Sequence, residues 1–120
     1  MLSVDIEQHG DTCIARFRGR ITAGSDLEDV SAKVERIKQL AGAKLLVDFS
    51  QVQSIGSTGI GFLVGLYISM RKKPGGAFVL AGVNARVREV LDLTRLSTIL
   101  PLATDIATGL EFLKGRQASV

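Results

Sequence analysis

The sequence predicts an α/β domain, a mixed central β-sheet with covering helices in the order ββαβαβαβα. Three observations predict it. The chain opens on period-two alternation, and short apolar runs recur at residues 44–49 and 77–81. Before and after those runs lie segments whose apolar residues stand three and four apart. Strands and helices taking turns in this way build a sheet with helices laid on it. The 120 residues suit one domain, with no internal boundary and no repeat. We assign residues 1–115 to that domain and expect 116–120 to form a flexible tail.

Each element has its own signal. Leu2, Val4 and Ile6 alternate with Ser3, Asp5 and Glu7, as in a half-buried strand. Gly10-Asp11 is a two-residue hairpin turn, and Cys13, Ala15 and Phe17 then alternate with Ile14, Arg16 and Arg18. Residues 19–24 break that pattern. Ser25 and Glu28 have the spacing of a capping box, and Leu27, Val30, Val34, Ile37 and Ala41 mark one apolar helix face that Gly42 ends. Residues 44–49 read as a central strand covered on both faces, and 50–56 as a loop. A second helix is expected from near Ser57 to Arg71, apolar almost all round and so either deeply buried or partly covered by a partner. Pro74-Gly75-Gly76 is a turn, and 77–81 a further central strand. Asn84 can cap a third helix carrying Val87, Val90 and Leu91. Residues 98–102 suggest a short last strand that Pro101 confines to an edge or end. Thr104 or Asp105 can cap a terminal helix with Ile106, Leu110 and Leu113.

Charge and composition narrow the function classes. The net charge is +3, but the cations are scattered and aromatic residues make up 5% of the chain. Little is available for base stacking, so no nucleic-acid site is expected. Arg16 and Arg18 can pair across strands with Asp5 and Glu7, and Arg71 and Lys72 suit a helix C-terminus. The longest uncharged stretch, residues 49–70, holds several polar residues and glycines, so no membrane insertion is expected. Cys13 is the one cysteine, which excludes an internal disulfide and fits a reducing cytoplasm.

Catalytic patterns are weak. His9 stands beside the hairpin turn with no nucleophile motif to serve, and no ligand spacing for a metal occurs. Asp48 ends a strand and can close the following turn by accepting from backbone amides. The run Gly56-Ser57-Thr58-Gly59-Ile60-Gly61 opens a helix as a phosphate loop does, but it lacks that loop's spacing and its lysine. Ser57 or Gly56 falls in the cap region, next to amides with no partner inside the helix. Gly59 and Gly61 remove side-chain bulk, so another surface can come close to the backbone.

Residues 46–63, which read LVDFSQVQSIGSTGIGFL, resemble the signature of STAS domains, in which an apolar strand and loop lead into a Ser-[Ser/Thr]-Gly helix start. Residues 83–96 resemble the third-helix segment of that family, and Gly19-Arg20-Ile21-Thr22 its second loop. The resemblance covers nearly the whole chain. It implies the STAS fold and a bacterial, cytoplasmic anti-sigma factor antagonist that is no enzyme and needs no cofactor. The implied partners are an anti-sigma factor with serine kinase activity and a serine phosphatase. Matched residue by residue, Ser57 is the phosphorylated serine, with Thr58 beside it as the second candidate. The implied partner-binding residues are Thr22, Ser54, Gly56, Ser57, Thr58, Gly59, Asn84 and Arg86. The family often has Asp before that serine, where this chain has Gly56, and acidic residues where it has Arg20 and Thr22. The same fold also serves as a subunit of lipid-asymmetry ABC transporters and as a stressosome scaffold.

Overall fold

A computed structural model describes residues 3–21, 27–40 and 44–118, apart from the side chains of 20, 21, 27–30, 40, 57, 58 and 115–118. A hairpin of β1 (Ser3–His9) and β2 (Thr12–Ile21) precedes α1 (Leu27–Leu40), β3 (Lys44–Ile55) and α2 (Ser57–Arg71). β4 (Ala77–Ala81), α3 (Ala85–Leu93), a 3-10 turn (Leu96–Thr98), β5 (Leu102–Ala103) and α4 (Ile106–Ala118) follow. The order of strands and helices is the expected one. α4 runs past Gly115, where the sequence suggested a tail.

The sheet keeps chain order, β1-β2-β3-β4-β5, with β1 antiparallel to β2 and every other pair parallel. The hairpin closes on the His9–Thr12 pair, and Gly10 supplies the positive φ (64°) its turn needs. Arg16 reaches diagonally to Glu7 (2.6 Å) and Arg18 to Asp5 (3.7 Å), so the expected cross-strand charge pairs form.

Period-two alternation sorts the strand side chains onto two faces. Cys13, Ala15, Phe17, Leu45, Val47, Phe49, Phe78 and Leu80 share one buried cluster with Val34 and Ile37 of α1, Leu63, Leu66 and Met70 of α2, and Val87 and Leu91 of α3. Ile14, Leu46, Ala77, Val79 and Ala81 face the other way, against Leu113, Ile106 and Leu110 of α4. Gly109 lets α4 lie close to the sheet, because a Cβ there would stand 2.8 Å from Leu46 Cδ1.

Three expectations need correction. Residues 50–55 are not a loop: β3 continues to Ile55, paired with an equally prolonged β2. Arg16 and Arg18 face Asp48 and Gln51, and Gly19 and Arg20 face Val52 and Ser54, so β3 carries an extra residue at two places. Such bulges break period-two alternation and hide the strand from a pattern reading. For the same reason residues 19–21 do not interrupt β2, and Gly19 accommodates the irregularity at φ 108°. The last strand is 102–103 rather than 98–102. Pro101 has no N–H to pair, although its carbonyl accepts from Leu80 N (2.9 Å), and the residues before it coil into the 3-10 turn. Ser25 of the expected capping box lies outside the described residues.

Candidate functional site

The candidate site gathers where β3 and β4 end and α2 and α3 begin. Asp48 opens this region. It is buried, its Oδ1 accepts from Ser50 N at 2.9 Å, and its Oδ2 stands 4.0 Å from Arg16 Nε. The carboxylate thus accepts from a backbone amide as expected, but it does so inside β3, where the strand bulges between Asp48 and Gln51, and not at a strand end with a turn behind it. His9 is likewise engaged, with Nε2 2.9 Å from Glu7 Oε2. Hydrogen bonding to His9, with Arg16 adding its charge, holds the Glu7 carboxyl below its ordinary range. Burial pushes the Cys13 thiol up, away from the thiolate a nucleophile requires. Among the described residues no group of three or more His, Cys, Asp or Glu side chains could hold a metal ion.

From Asp48 the chain runs along the bulged end of β3 to half-buried Ser54 and on to Gly56. Gly56 is the N-cap of α2, with extended backbone (φ −105°, ψ −172°) and no side-chain cap hydrogen bond. Its carbonyl accepts from Ile60 N at 3.1 Å, which closes the first turn. Ser57 is therefore the first helical residue and Thr58 the second. The amides of Ser57, Thr58 and Gly59 precede the first intrahelical bond and carry the positive end of the helix dipole.

Further along α2, Leu63, Leu66 and Met70 are buried, whereas Ile68 is 45% exposed. The helix is neither wholly buried nor wholly covered by its own chain. Gly59 is buried. Gly61 is exposed, and a Cβ built on it would meet none of the described residues within 4 Å. Packing among the described residues does not require a glycine there.

The other half of the site comes from α3. Asn84 Oδ1 accepts from Val87 N at 2.8 Å, so the expected cap forms. Its Nδ2 donates to the carbonyls of Val52 (3.1 Å) and Gln53 (3.2 Å), which joins the start of α3 to the end of β3. Arg86 is exposed on the first turn of α3. Ser54, Gly56, Ser57, Thr58, Gly59, Asn84 and Arg86 thus share one end of the sheet, while Thr22 lies outside the described residues. Sequence reasoning missed Gly82, whose φ of 76° turns the chain from β4 toward α3. A Cβ on Gly82 would lie 3.1 Å from Ser50 Cβ, so the β4–α3 connection is laid against β3. The one available signal was a glycine directly after an apolar strand.

Comparison with known proteins agrees with this fold. The family model described as the STAS domain matches residues 3–109. The chain is 28% identical over 112 residues to the anti-sigma-B factor antagonist of Bacillus subtilis, covering 92% of this chain and 98% of that one. The crystal structure of an anti-sigma factor antagonist from Mycobacterium paratuberculosis superposes with a TM-score of 0.85 at 19% identity, over 95% of each chain. The Bacillus cell fate determinant SpoIIAA in its phosphorylated form superposes with a TM-score of 0.62 at 21% identity, over 85% of this chain and 92% of that one.

Proposed function

This chain belongs to the STAS domain family, and from that premise we propose that it is an anti-sigma factor antagonist switched by phosphorylation of Ser57. It acts in the cytoplasm by binding an anti-sigma factor that is also a serine kinase, which frees the sigma factor. The kinase transfers the γ-phosphoryl group of ATP to Ser57 Oγ and releases ADP, and a phosphatase hydrolyses the ester. The observation that carries the reading is the position of Ser57, first in a helix whose cap residue has no side chain. A relative named for the same activity supports it.

Physical chemistry explains how one group could decide binding. A phosphoserine carries about two negative charges at neutral pH. At the start of α2 the helix dipole favours it by about 1 kcal/mol, so the fold survives modification. A partner surface fitted to a neutral hydroxyl must instead desolvate a dianion. That costs on the order of 2–5 kcal/mol, a loss of tens- to thousands-fold in affinity. Release therefore needs no rearrangement of the domain.

The test combines modification and binding. Incubation with the cognate kinase and ATP should place phosphate on Ser57 by mass spectrometry. Ser57→Asp should weaken binding to the anti-sigma factor at least tenfold by calorimetry, whereas Ser57→Ala should stay within a few-fold of wild type. Phosphate found elsewhere with Ser57 untouched, or a Ser57→Asp variant that binds like wild type, defeats the reading.

A further inference from the structure

Asn84 spends its whole side-chain amide on two different elements. The oxygen caps α3 through Val87 N at 2.8 Å. The nitrogen donates to two consecutive carbonyls of β3, Val52 and Gln53, at 3.1 and 3.2 Å. Those carbonyls precede Gly56, the α2 cap, by only three and four residues. Gly56 brings no side-chain bond of its own to that cap, so the entry to α2 is fixed from behind. It is fixed on one side by pairing of Ser54 and Ile55 with Arg20 and Ile21, and on the other by Asn84.

We propose that Asn84 is a positioning residue that holds the N-termini of α2 and α3 in one fixed arrangement. It makes Ser57 and the first turn of α3 a single surface, and the anti-sigma partner reads that surface without Asn84 having to touch it. This rests on the function proposed above and assigns Asn84 a role other than direct contact. A side-chain amide is the group that suits the task, since it accepts at one end and donates twice at the other. Asp and Ser cap a helix about as well as Asn, but Asp has no donor when ionised and the Ser hydroxyl is too short to span the same gap.

That chemical difference separates cap from tether. Amide hydrogen exchange is measured by NMR on the full chain for wild type, Asn84→Ser and Asn84→Asp. Both variants keep the cap, so exchange in α3, read at Leu91, should change less than twofold. Exchange of the Ile60 amide, which closes the first turn of α2, should quicken about tenfold in Asn84→Ser, the effect of two lost hydrogen bonds. It should quicken further in Asn84→Asp, where a carboxylate would face two carbonyls. Affinity for the anti-sigma factor should fall about tenfold in step with it.

Unchanged Ile60 exchange in both variants overturns the proposal. So does loss of protection in α3 equal to that in α2, which would make Asn84 a cap alone, or faster exchange with affinity intact. The exchange measurement needs no partner. If the wild-type chain binds no anti-sigma factor while Ile60 responds, the function falls and the tether stands.

Discussion

Gly61 lies inside α2, is exposed, and has no described residue within 4 Å of where a Cβ would project. Glycine in a helix interior costs about 1 kcal/mol relative to alanine. The chain carries that cost with no contact among the described residues to justify it, which is the pattern of a backbone left bare for another surface. Gly61→Ala should therefore stabilise the isolated protein by about 1 kcal/mol, seen as a melting temperature raised by about 4 °C. The same methyl should weaken capture of the anti-sigma partner if α2 is approached there. An unaltered affinity would move the interface off this stretch of the helix. Gly109 is the contrasting case, since its Cβ would run into Leu46 Cδ1 at 2.8 Å. One glycine answers to packing among the described residues and the other does not.

Among the elements, α4 shows how a cap ties stability to pH. Asp105 Oδ1 accepts from Thr108 N at 2.7 Å, and that hydrogen bond holds the Asp105 carboxyl below its ordinary value of 3.8. A carboxyl whose pKa is depressed on folding leaves the unfolded chain holding more protons. Its stabilisation is therefore complete above pH 3.8 and is lost as the pH falls through the lower folded value. Asp105→Asn keeps a capping oxygen and removes the titration. Its melting temperature should match wild type at neutral pH and fall less steeply below pH 4, as followed by circular dichroism. Parallel acid limbs for the two proteins would remove Asp105 from that linkage.

What could be read from sequence also divides by element. Both ends of α2 were legible, because an uncharged apolar segment begins at a Gly-Ser step and closes on Arg71 and Lys72. The far half of β3 was not, because two bulges destroy the alternation that identifies a strand. β5 was misplaced because its apolar run starts before Pro101, while the ladder can form only after it. In the candidate site, the start of α2 at Ser57 and the capping role of Asn84 were visible as residue types at helix starts. The bonds from Asn84 to Val52 and Gln53 were not, since backbone carbonyls carry no residue signature and the contact spans 32 and 31 positions.

For the whole molecule, the two faces of the sheet are unequally defended. Three helices share one face, and α4 covers the other, on which Ile14, Leu46, Val79 and Leu113 form the smaller cluster. Leu113 is 1% exposed and belongs to the helix that covers that face. Leu113→Ala should cost about 3 kcal/mol in urea denaturation, through lost transfer energy and a residual cavity. A loss below about 1 kcal/mol would mean that α4 collapses onto the gap and packs more loosely than its contacts suggest.

A sheet whose neighbours in space are also neighbours in sequence can be laid down from one edge to the other as the polypeptide emerges from the ribosome. Each newly synthesised strand finds its predecessor already waiting, and no vacant slot between two strands must be held open for a later one. The unfinished product nevertheless carries a sticky underside until α4 arrives, and that interval is when a nascent copy is most open to capture by a chaperone.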